Sequence, residues 1–232
     1  MEDIRLDSVR LIATDDTSKK IIERLRSDGV YGKEDTECQL INMVFVASAA
    51  GVENIPNVLS EDTPAKRNVI ITINSSLQID DNANYNSILS FLDGADIYTE
   101  IKTLLYLIRI NVEIHGLVCF DFNDFFVLAK GRNRISTISY PYKDNIEEAI
   151  NEIQKIKLQD DSKCLLFFTI EHYDCNGFEF DMLPVKNYLD TFPEKATLYW
   201  NLAESTDKQV TLFSSISISN LSAINKAKSL CA

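Results

Sequence analysis

Short apolar runs alternate with amphipathic stretches through the first part of the chain. Val9–Ala13, VRLIA, predicts a short buried strand. The segment TDDTSKKIIERLRSDG then predicts a helix, with Ile21, Ile22 and Leu25 as its buried stripe. Asp16 or Thr17 stands in position to cap it, and Gly29 stops it. NMVFVASAAG reads as a second apolar strand ending at small residues, SEDTPAKR as a polar linker, and NVIITINSS as a third strand. Strands without polar alternation are buried on both faces, so this β-α-β rhythm predicts a parallel sheet.

A long helix is expected from about Asp93 to Val112. Ile97, Ile101, Leu104, Leu105 and Ile108 fall on one of its faces, and Tyr98, Tyr106 and Leu107 widen the apolar surface. Such a helix serves as a spine between subdomains. Beyond it the pattern restarts. Asp121–Ala129 reads as helix, NRISTISY as strand, and YKDNIEEAINEIQKI as an amphipathic helix with Ile146, Ala149, Ile150, Ile153 and Ile156 inward. CLLFFTI predicts a buried strand, and DMLPVKNYLDTF a helix with Pro184 in its first turn. ATLYWNL and QVTLFSSIS predict two more strands, and a tail from about Asn220 has weak helical character.

Composition narrows the chemistry. The chain has 232 residues and a formal net charge of −12, which opposes a nucleic-acid backbone or an anionic membrane surface as partner. The acidic start MEDIRLDSVR lacks the apolar core of a signal peptide, and no apolar run is long enough to span a membrane. Five cysteines, Cys38, Cys119, Cys164, Cys175 and Cys231, form no C-x-x-C pair. A reduced, cytoplasmic protein is therefore expected. His172 and Cys175 lack further ligands at metal-site spacing, so no metal is expected. No serine–histidine–acid arrangement stands out, and His115 reads as a boundary residue at the end of the spine.

Two acids stand apart. GLVCFDFNDF, Gly116–Phe125, places Asp121 and Asp124 three residues apart directly after the spine helix. This segment resembles the loop G-L-I-N-V-D-F-A-D-V of FtsZ proteins, in the tubulin/FtsZ superfamily, with Cys119 in place of the asparagine. The likeness runs through about residues 67–215. VIITINSSLQIDDNANYNSILSFLDGAD, NIEEAINEI, CLLFFTI and ATLYWNLAESTDKQVTLFSSIS all resemble FtsZ segments in the same order. Asp96 falls on the acid that recognises guanine in that family, whereas the family's other guanine-contacting position, an asparagine, is Ser75 here.

The glycine loops are where the chain departs. The family holds the GTP phosphates with a glycine-rich loop after the first strand and with GGGTGTG after a later one. Here the first turn reads IATDDTSKK, and VFVAS is followed by AAGVENIPN. Only 7 glycines occur in the chain, about 3%, against a usual share of about 7%. A phosphate cradle needs backbone N–H groups that converge on the anion, which glycine allows best. Asp15 and Asp16 add repulsion: a carboxylate about 4–5 Å from a phosphate oxygen costs about 3–4 kcal/mol at an effective dielectric near 20.

The expected fold class is α/β. A shortened Rossmann-like parallel-sheet domain (residues 1–92) leads into a central helix (93–115). An FtsZ-like α+β domain with a four-stranded mixed sheet follows (116–232). The expected function is non-catalytic, with no cofactor and no small-molecule substrate. The partner is an FtsZ-type protein or the chain itself, met by protein–protein contact that caps or modulates a filament. No residue is expected to catalyse in cis. In the family the acidic loop acts on the GTP of the neighbouring subunit, so Asp121 and Asp124 are candidates for action in trans, and Asp96 for a vestigial guanine site. The structural alternative is that DFND caps and opens a helix. Two other functions remain open: a divergent polymerising GTPase, and a nucleotide-independent assembly or adaptor protein.

Overall fold

The computed structural model describes residues 9–30, 41–60, 67–80, 85, 87–92, 94, 96–113, 122–171 and 183–218. They form two compact units. One holds the described residues of Met1–Lys102, Ala129–Ile135 and Ser217–Ala232; the other holds those of Thr103–Leu128 and Ser136–Ile216.

In the first unit the strands β1 (Val9–Ala13), β2 (Ile41–Val46), β3 (Arg67–Thr72), β4 (Ser87–Phe91) and residues 131–135 of β5 (Gly131–Pro141) lie side by side in chain order. Every neighbouring pair is parallel. β2 and β4 are buried along their whole length, which explains their unbroken apolar runs. Helix α1 (Asp16–Ser27) follows β1 and buries Ile22 and Leu25; Gly29, at φ 68°, ends it as expected.

Two elements depart from the expected order. Helix α2 (Ala49–Ser60) takes up the small-residue end of the second expected strand and the stretch after it, and contains Pro56. Its Val52, Ile55, Val58 and Leu59 pack on Val44, Val46, Ile70 and Ile88 of the sheet. β4 was not expected as a strand at all. Helix α3 (Ile97–Glu113) begins four residues after Asp93. Gly94 holds φ 82°, outside the helical region, and Asp96 then accepts from Thr99, so the first turn forms only beyond it. Of its expected stripe, Ile101, Leu104, Leu105 and Ile108 are buried and Ile97 is half-buried; Leu107, which widens the apolar surface, is buried too.

The second unit carries a mixed sheet in the order β5-β8-β6-β7, where β6 is Lys163–Ile170, β7 Thr197–Glu204 and β8 Gln209–Ser217. β6 pairs parallel with β7 and antiparallel with β8. Helices α5 (Ile146–Ile153) and α6 (Leu183–Leu189) cover one face. Ile146, Ala149, Ile150, Ile153, Val185 and Tyr188 meet Cys164, Leu166, Phe168, Leu202 and Leu212 there. Asn145 caps α5 through Glu147 N–H at 2.9 Å. Helix α4 (Phe122–Ala129) sets Phe125 against Phe213, ring centroids 6.1 Å apart. This α/β architecture with a four-stranded mixed sheet is the one the sequence predicts. Among the described residues no helix is long and apolar enough to cross a membrane. The tail from Asn220 lies outside the described residues.

Candidate functional site

The parallel register sets Ala13 beside Phe45, so the turns that leave β1 and β2 are neighbours. Ends of parallel strands that lead into helices are where α/β proteins place ligands. Thr14 ties the two turns together: its N–H and its Oγ1 both donate to the Phe45 carbonyl, at 3.2 and 3.0 Å.

Asp15 is the centre of this arrangement. It is the N-cap of α1, and Ser18 N–H donates to its Oδ1 at 2.8 Å. The Ser18 hydroxyl takes the Asp15 N–H at 3.1 Å and closes a capping box. The cap thus falls one residue before Asp16 and two before Thr17, the residues expected to make it. Thr14, Asp15, Asp16 and Thr17 can all cap a helix, and the local sequence does not choose among them. The choice is made from outside the helix. Ala47 N–H, Ser48 N–H and Ser48 Oγ donate to Asp15 Oδ2 at 2.9, 3.0 and 3.0 Å. Only Asp15 reaches both sets of donors.

Partial burial works to raise the Asp15 pKa, but it is outweighed. Hydrogen bonds from the Ser18 and Ala47 N–H groups and from the Ser18 and Ser48 hydroxyls hold the carboxyl below its ordinary value of 3.8. Gly51, in the first turn of α2, permits the close approach. A Cβ there would overlap Asp15 Oδ2 and stand 2.6 Å from Thr14 Oγ1. The glycine is thus used to admit a side chain of the same protein.

Beyond Asp15 the surface opens into a cleft of about 610 Å³ lined by Thr14, Asp15, Asp16, Ala50, Glu53, Asn54 and Asn57. The space above the two turns is open, and the Asp15 side chain turns inward to the donors instead of outward into the cleft. Three of the lining residues are acids. The N–H groups of Thr14, Asp15, Ser18, Ala47, Ser48 and Gly51 all donate within the protein. Asn54 Nδ2 donates to the Thr14 carbonyl at 2.9 Å and closes the floor. These residues do not fit a nucleotide phosphate: the convergent donors are engaged and the lining is acidic.

Asp96, at the expected guanine position, is exposed and works as a cap. Thr99 Oγ1 donates to it at 2.8 Å and Thr99 N–H at 3.3 Å, and these contacts lower its pKa. Two residues on, Tyr98 is covered by its own protein. The Arg24 guanidinium lies 3.7 Å from the ring centroid, and Tyr98 Oη donates to Asp28 at 2.6 Å. Burial, with that bond, raises the Tyr98 pKa to about 12. Ser75 is half-buried in the turn after β3.

Asp124 is half-buried in the first turn of α4, in the second unit, whereas Asp96 and Asp15 belong to the first. The carbonyls at the end of α4 are well satisfied: Ser215 Oγ donates to Leu128 at 2.8 Å and Lys163 Nζ to Val127 at 3.3 Å. Asp121, His115, Cys119, His172 and Cys175 lie outside the described residues. Among the described residues no group of three or more His, Cys, Asp or Glu could hold a metal ion.

No family model matches the sequence. No curated protein is similar to it in sequence. Solved structures are similar. CetZ from Methanosaeta thermophila strain DSM 6194 superposes with a TM-score of 0.52 at 10% identity, over 91% of this chain and 70% of that one. A GTPγS-bound protofilament of CetZ2 from Haloferax volcanii gives 0.49 at 11% identity, over 86% and 69%. The FtsZ dimer of M. jannaschii gives 0.47 at 10% identity, over 89% and 68%. The fold is of the tubulin/FtsZ type. The similarity in structure extends over nearly the whole chain, although the sequences share about one residue in ten.

Proposed function

We propose that this chain is a non-catalytic protein of tubulin/FtsZ-like fold that does not hold GTP productively and acts through protein–protein contact. Its partner is a filament of an FtsZ-type protein or a second copy of itself, and its effect on a filament is to cap or modulate it. The observation that carries this reading is the Asp15 carboxylate seated on the Ala47 and Ser48 donors, beside a cleft lined by Asp16 and Glu53. A triphosphate would meet engaged donors and the seated Asp15 carboxylate, with the exposed Asp16 and Glu53 adding repulsion that salt partly screens.

The test has two parts. In equilibrium dialysis with GTP and magnesium, the protein retains no nucleotide at high micromolar concentration; retention would overturn the reading. Mixed at micromolar concentration with an FtsZ-type GTPase, it changes that partner's turnover, and Asp121→Ala or Asp124→Ala removes the change while leaving the fold intact. Unchanged turnover, with no self-association seen by light scattering, would refute the protein-contact function. The open cleft favours one second reading, a divergent GTPase, and the dialysis result decides between the two.

A further inference from the structure

We draw no further inference here: the strongest candidate, the outer edge of β7 with its half-buried Leu198, Tyr199 and Trp200 at the end of the sheet, carries none because nothing among the described residues shows what covers it.

Discussion

Gly51→Ala is ordinarily a stabilising change in a helix, worth about 1 kcal/mol in propensity. In this chain it should destabilise. The new methyl group overlaps Asp15 Oδ2 and crowds Thr14 Oγ1 at 2.6 Å, and the carboxylate must leave. It then gives up its bonds from Ala47 N–H, Ser48 N–H and Ser48 Oγ. Water replaces them in part because Asp15 is only half-buried, so each is worth about 0.5–1.5 kcal/mol, or roughly 3 together. Subtracting the gain in propensity leaves a net loss of about 1–2 kcal/mol, a fall of about 2–8 °C in the thermal midpoint. The decisive form is a double-mutant cycle. In an Asp15→Ala background there is no carboxylate to displace, and Gly51→Ala keeps its propensity gain less the crowding at Thr14 Oγ1, so the coupling should be about 2–3 kcal/mol. Thermal and urea unfolding of the four proteins measure it. Gly51→Ala at least as stable as the wild type, or an equal cost in both backgrounds, would refute the reasoning.

Two further outcomes are expected. The Asp15 pKa is lower folded than unfolded, so its contribution to stability is full above the unfolded value near 3.8 and is lost as pH falls from there through the folded value. The stability difference between wild type and Asp15→Asn should therefore be flat from about pH 5 to 8 and shrink below about pH 4, as urea titrations across that range will show. Asp96→Ala should lower the thermal midpoint by removing the cap of α3, and Asp96→Ser should restore most of it; a guanine-binding role would instead leave both variants equally impaired in nucleotide retention.

Much of this architecture could be read from periodicity. The stripe Ile101, Leu104, Leu105 and Ile108 and the inward set of α5 are buried as their spacing demands. What escaped had competing signals. Pro56 argues against a helix interior, and it hid α2 although Val52, Ile55, Val58 and Leu59 recur on one face. β4 is only five residues, SILSF, and its two serines are buried, which breaks the apolar pattern of a core strand. The start of α3 was ambiguous because Asp93 and Asp96 are both capping residues; the backbone at Gly94 decides it. The centre of the site was legible only in part. Asp15 and Asp16 stand out in the sequence as acids where a glycine turn would be. That one of them turns inward to donors at positions 47 and 48 is a tertiary fact, since two of those three donors are main-chain groups that any residue type carries.

A counter-ion that belongs to the polypeptide has no dissociation rate. Its occupancy is the same in a starved cell as in a fed one, and no exchange factor can swap it. The junction that Asp15 clasps therefore lacks the second state that a departing product would give it. Under the proposed function, any timing is imposed from elsewhere: by how much of the protein is made, by covalent marking, or by the condition of whatever it touches.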